Sequence, residues 1–354
     1  MKILLFKIGA LGDLLMATPL VRQLRRRFPS ARIDFLAGRS FAGVFARNPH
    51  LDGVVEFPEE LFFRRDLRGY VRLVGRIRKA RYDTAFVLDR HWVFPLTAFL
   101  FGAARRVGFD RMGREGVLLT DRVRFEAVRH EVHYNLDLLA AVDTAAYDDA
   151  SMEIFPSGED VAFAERLYRE PGLAGKPVVA LAPGGGANPG QDMPAKRWPV
   201  ARYVELARLL MAAGYGVLLV GGRTDETLAR TILAEAGGVS GVGATLGGSA
   251  ELFRRSHAAV CSDGGPMHLA SAVGARVVSL FGPTDPRRLA PLNGYACLWK
   301  PVSGEPCYDI FGRLGREEEA LESMRRITPG EVLAIIEERR RPAKAVEGPG
   351  PGEG

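Results

Sequence analysis

A short apolar run that ends in glycines and opens into an amphipathic segment recurs along this chain. It restricts the fold more than any other feature. The first copy is Lys2–Lys7 (KILLFK), then Gly9-Ala10-Leu11-Gly12-Asp13, then Leu14 to Phe28. Such a copy predicts strand, tight turn and helix, and their alternation predicts an α/β fold with a parallel sheet covered on both faces. In the first half strands are expected at 2–7, 32–37, 53–57, 83–89 and 105–108, with one more within 117–125. Helices are expected at 13–28, 40–47, 66–80, 94–101 and 130–142. Residues 144–176 lose the period and carry Pro171-Gly172 and Gly175-Lys176-Pro177, the mark of a linker. The rhythm then restarts. Strands are expected at 177–183, 216–220, 258–262 and 276–281, and helices at 159–169, 202–213, 224–236 and from 266 to 273. The last helix is expected from 329 to 340, before a Pro/Gly-rich tail expected to be disordered (342–354). The length suits two domains, each with its own core.

Chemistry in open α/β sheets gathers at the carboxyl ends of the strands. Asp13 falls there. One reading makes it the N-cap of the following helix, although Met16 breaks the capping-box pattern. The other makes it a general base, and the two are compatible. The sharpest signal is Ser262-Asp263-Gly264-Gly265-Pro266-Met267-His268. Pro266 fits the first helical position, with Gly265 as cap, so bare N–H groups and the positive helix end predict a phosphate site. His268 would add a donor, or be a surface histidine. Lys196-Arg197-Trp198-Pro199 offers a phosphate-binding cation or a solvated lysine. Thr284, in Gly282-Pro283-Thr284, faces phosphates or marks a simple turn.

Several classes are excluded. There is no GxGxxG, GxxxxGK[ST] or GxSxG motif and no DxD pair. The three cysteines have no zinc spacing, and His130 and His133 lack a third ligand. No apolar run reaches the length of a membrane span, and the first strand does not read as a signal peptide. A reducing cytosol and free buried thiols are expected. The net charge of +6 rests on arginines concentrated in the first half, including Arg25–Arg27, Arg64 and Arg65. They suit phosphate or carboxylate partners. Arg22 to Arg27 read as a solvated helix face. No aromatic-basic platform or helix-turn-helix supports nucleic acid.

KIGALGDLLMATPL, AKRWP, SDGGPMHLASAVG, LFGPTDP and LESMRRITPGEVLAII together resemble glycosyltransferase family 9, the ADP-heptose:lipopolysaccharide heptosyltransferases, over about residues 1–340. The resemblance implies a GT-B fold of two Rossmann-like domains facing across a cleft. They would span 1–155 (acceptor) and 156–328 (nucleotide sugar), with helix 329–341 crossing back to the first. It implies Asp13 as catalytic base, and donor binding by Lys196, Asp263, Gly264, Gly265, Met267, His268 and Thr284. Lys7, Arg64 and Arg65 would meet the acceptor. It implies no metal and no cofactor beyond ADP-heptose as substrate. The acceptor would be a lipopolysaccharide core or lipid A–Kdo, met by a cytoplasmic protein in peripheral contact with the inner membrane. Other readings are a related transferase using another sugar nucleotide or a protein acceptor, or a non-catalytic binding module. The pattern departs from the family at Gly264, where Thr or Ser is frequent, and at Arg223, where some members have an acid.

Overall fold

In the computed structural model the two halves share one strand order. The structure describes residues 1–338 other than 64–65, 112, 114–115, 126–127, 144–145, 186, 189–190, 294–295 and 310–312. The first half holds β1 (Lys2–Lys7), β2 (Arg32–Gly38), β3 (Gly53–Phe57), β4 (Thr84–Val87), β5 (Arg105–Asp110) and β6 (Asp121–Arg124). The second holds β7 (Val178–Ala182), a small hairpin of β8 (Ala187–Asn188) and β9 (Gln191–Asp192), and then β10 (Gly216–Leu219), β11 (Val239–Ser240), β12 (Ala258–Ser262), β13 (Val277–Phe281) and β14 (Ala296–Trp299). The sheets are ordered β3-β2-β1-β4-β5-β6 and β11-β10-β7-β12-β13-β14, and every pairing in them is parallel. Leaving out the hairpin, both read as the doubly wound order of a dinucleotide-type domain. The order reverses between β1 and β4, and again between β7 and β12. A crevice opens at each reversal.

The strands are apolar on both faces because both faces are covered. In β1, Leu4 and Phe6 join one cluster with Leu73, Ile77, Ala98 and Phe101. Ile3 and Leu5 join another with Leu20, Phe35 and Phe86. That second cluster continues through Leu14, Leu15 and Met16 into Leu252, Phe253, Met267 and Leu269 of the second half. The halves therefore share apolar contact beside the cleft.

Several expectations are corrected. The single helix expected at 13–28 is two, Leu11–Leu15 and Thr18–Arg27. Pro19 has no N–H for the Leu15 carbonyl, and the Thr18 hydroxyl donates to that carbonyl instead, at 2.7 Å. Arg22 to Arg27 are a solvated face only at Arg26, which is exposed. Arg22 is buried and pairs with Glu153 and Asp149, Arg26 with Asp148, and Arg27 with Asp143, which pins the linker to the first half. Helix Pro329–Glu338 packs Val332 and Ile336 into the core of the second half, with Trp198 and Tyr203. Residues 339–341 of the helix expected to cross to the first half lie outside the described residues. The expected tail, 342–354, lies outside the described residues. Among the cysteines Cys261 and Cys307 are buried, but Cys297 is exposed.

Candidate active site

Both sheet reversals open on one cavity of ≈ 1210 Å³, lined from both halves. From the first half come Lys7, Gly12, Asp13, Asp89, Arg90 and Glu131. From the second come Lys196, Asp263, Gly264, Gly265, His268, Thr284 and Arg288. The short helix Leu11–Leu15 packs across the cleft on helix Gly265–Ala272. The two backbones meet closely. A Cβ at Gly12 would stand 2.4 Å from His268 Cδ2, and one at Gly265 would stand 2.8 Å from Leu11 Cδ2.

Asp13 is not an N-cap. Ala10 takes that place, and Asp13 sits at the third helical position, where its carboxylate accepts from the Ala10 N–H at 3.3 Å. Gly9 makes room for it, since a Cβ there would stand 2.8 Å from Asp13 Cβ. Lys7 Nζ lies 3.1 Å from Asp89 Oδ1. Burial opposes the lysine's charge, but Asp13 and Asp89 outweigh burial and the nearby Arg90, so its pKa is raised. The residues expected on the acceptor side thus divide. Lys7 is in the cavity, whereas Arg64 and Arg65 lie outside the described residues.

On the donor side the helix cap is Gly264, one residue earlier than expected, and Pro266 is the second helical residue. The N–H groups of Gly264 and Gly265 precede any intrahelical acceptor. Gly264 is extended, with φ 171°, a backbone that Thr or Ser adopts equally well. Met267 differs from its expected role. It is fully buried, and its N–H closes on the Gly264 carbonyl at 3.1 Å. Lys196 Nζ pairs with Asp263 Oδ2 at 2.8 Å, and Thr284 Oγ1 donates to the same oxygen at 2.7 Å. Burial would raise the Asp263 pKa, but Lys196, His268 and Thr284 together hold it below the usual range. Asp263 therefore anchors the two donors. Arg223 is exposed, and the neighbouring Asp225 lines the cavity in its place.

His268 is not at the surface; it is 3% exposed. Burial pushes its imidazole down to about 4, helped by His130 and Lys196 and opposed by Asp263 and Asp13. It is neutral at pH 7 and acts as a dipole rather than a cation. Between pH 6.5 and 4 the unfolded chain binds a proton here that the folded chain refuses, so stability falls as pH drops. A shift of this size is worth roughly 3 kcal/mol in all. The urea midpoint is expected to decline from pH 7 to pH 5, and less so in His268→Asn. Equal slopes in the two proteins would remove the assignment.

Several cavity residues escaped the sequence reasoning, Asp89 and Glu131 among them. Asp89 follows β4, beside β1, and accepts from the Ile8 N–H at 2.8 Å. The sheet-reversal rule could have found it. Glu131 bridges Arg90 and, across the cleft, Arg288 at 2.6 Å. Although burial opposes it, these two arginines hold its pKa down to about 2. His130 Nε2 also crosses, to the Ala290 carbonyl at 2.8 Å. Nothing in the local sequence marks these crossings.

Residues 70–313 match the model of glycosyltransferase family 9 (heptosyltransferase). The chain belongs to this family. Lipopolysaccharide heptosyltransferase 2 of Escherichia coli (strain K12) is 29% identical over 351 residues, with 94% of this chain and 97% of the relative covered. The Salmonella typhimurium enzyme of the same name is 29% identical, covering 86% and 89%. The solved E. coli ADP-heptose lps heptosyltransferase II superposes with a TM-score of 0.74 at 26% identity, covering 96% of this chain and 100% of that one. The family-9 fold is thus GT-B, with two facing doubly wound domains.

The contact between the domains makes a prediction. Gly12→Ala must push against a buried imidazole ring, and such overpacking costs about 1–3 kcal/mol. Chemical denaturation should show this loss, and His268→Ala in the same background should recover much of it. No loss in Gly12→Ala would mean that the two helices separate freely.

Proposed function

We propose that this family-9 glycosyltransferase moves a heptosyl group from ADP-heptose to a hydroxyl of the lipopolysaccharide inner core. The single observation that carries the reading is the shared cavity. One domain lines it with a carboxylate and a lysine, the other with a lysine and free helix-start amides. The names of the relatives support the heptosyl group and the lipopolysaccharide acceptor.

The mechanism follows from the chemistry of the groups. The acceptor oxygen bonds to C1 as the bond from C1 to the pyrophosphate oxygen breaks, on the opposite face, so the anomeric configuration inverts. Asp13 takes the hydroxyl proton. The negative charge that gathers on the leaving ADP is met by Lys196 and the Gly264 and Gly265 amides, with Thr284 alongside. Asp263 keeps Lys196 in place. Lys7 would meet acceptor phosphates or Kdo carboxylates. No step calls for a resident metal or cofactor. The reaction would take place at the cytoplasmic face of the inner membrane, with the protein in peripheral contact. No helix among the described residues is long and apolar enough to cross a membrane.

Transfer is tested with ADP-heptose and a heptose-deficient lipopolysaccharide core, read by mass spectrometry, beside calorimetric titration of ADP and UDP. Product gain of one heptose and preference for ADP are expected. Preference for UDP, or transfer only to a protein, would overturn the reading.

A further inference from the structure

Helices Leu67–Ala80 and Val93–Phe101 lie side by side on one face of the first sheet. The Tyr70 and Thr97 hydroxyls are bonded at 2.6 Å, and Arg78 donates to the Leu100 carbonyl at 3.2 Å. Leu73, Ile77, Ala98 and Phe101 point inward. The outer side is unusual for a surface. Leu67 and Val71, one turn apart, are 71% and 61% exposed, and on the next helix Trp92 and Phe99 are 55% and 49% exposed, with Leu96 between them. Positions 92, 96 and 99 share one helical face. The result is an apolar strip on two adjacent helices, and such strips mark contact with something other than water.

Charge says what kind of surface it meets. Helix Leu67–Ala80 carries five cations and no carboxylate (LRGYVRLVGRIRKA). Arg68, Arg72, Arg76 and Lys79 recur along one stripe beside Leu67 and Val71. The arginines of helix Thr18–Arg27 are neutralised by linker and loop acids, but no such pairing is found for this stripe among the described residues. Arg106 adds a guanidinium 5.5 Å from the Phe99 ring centroid. Aromatic and aliphatic side chains flanked by cations suit the boundary between acyl chains and anionic headgroups. Both helices start at the strand-end edge of the sheet, the edge that holds Lys7, Asp13 and Asp89.

We propose that the outer face of these two helices docks on an anionic phospholipid bilayer and holds the cleft mouth near the lipid surface. The choice of a bilayer over an acidic protein rests on the proposed lipid-linked acceptor as well as on the exposed apolar strip. The test reads vesicle binding without donor or acceptor, so its failure and the failure of the transfer reaction are separate results. The protein should sediment with phosphatidylglycerol-containing vesicles and not with phosphatidylcholine alone, and high salt should weaken binding. Lipids brominated on the acyl chain should quench the fluorescence of exposed Trp92, and Trp92→Phe should abolish that quenching, because Trp198 is buried and Trp299 half-buried in the second domain. Arg68→Gln with Arg72→Gln should weaken vesicle binding about thirty-fold, from about 1 kcal/mol per cation near an anionic surface. The same variant should transfer to a soluble, delipidated acceptor at the wild-type rate. Absence of vesicle binding, equal binding to neutral vesicles, or binding without quenching would each overturn the proposal.

Discussion

Asp13→Asn should fold normally, bind ADP as tightly as the wild type, and lose turnover by roughly 10²–10⁴-fold, the range expected for loss of a positioned base. The local structure explains why this substitution is clean. The side-chain amide oxygen of the variant can still accept from the Ala10 N–H, a contact of 3.3 Å in the wild type. Lys7 keeps Asp89 as partner at 3.1 Å, so no buried cation is left alone. The capacity to take a proton disappears, together with one of the two negative charges beside Lys7. Single-turnover kinetics with saturating donor and acceptor would measure it. Turnover within tenfold of the wild type, with binding intact, would remove Asp13 from the chemistry.

Lys196→Met should be damaging twice over. First, the ion pair with Asp263 is nearly dry, with side-chain exposures of 12% and 3%. Removing one partner of such a pair costs about 3–5 kcal/mol because the other charge is left buried and unpaired. Second, the leaving pyrophosphate loses a cation, and one such contact typically supplies about 3 kcal/mol of barrier, more than a hundredfold in rate. The double variant Lys196→Met with Asp263→Asn separates the effects. The amide that replaces the Asp263 carboxylate can still accept from Thr284 and carries no charge, so urea denaturation should show most of the stability restored. Turnover should stay low. Recovery of turnover in the double variant would make Lys196 a structural partner of Asp263 and nothing more.

Much of this was legible before folding. The apolar runs place most of the strands because a parallel sheet buried on both faces leaves little else for such runs to do. Elements without a clean period were not legible. Helix Leu246–Arg255 carries Gly247 and Gly248, residues that disfavour a helix interior. The structure uses Gly247 for close approach, since a Cβ there would stand 2.2 Å from Asp160 Oδ2. The edge strand β11 has two residues, too few to show any period. In the site, Asp13, Lys196, Asp263, Gly264, Gly265, His268 and Thr284 were singled out from turns at strand ends, and all line the cavity. Met267 was singled out by its place in the same motif. Helical closure took its N–H and the core took its side chain.

From residue order alone came two doubly wound domains, the strand-end loops that carry the chemistry, and the acid and cations in them. These follow from local rules, in which side-chain period selects strand or helix and glycine selects the turn. How the domains meet belongs to the three-dimensional structure: Gly12 against His268, Leu11 against Gly265, and Glu131 shared between Arg90 and Arg288. Those contacts join residues far apart in the chain through shape and charge complementarity, which no period along the chain encodes. The same is true of which arginines are neutralised. Arg22 and Arg26 meet acids more than a hundred residues away, whereas the stripe on Leu67–Ala80 is left facing outward.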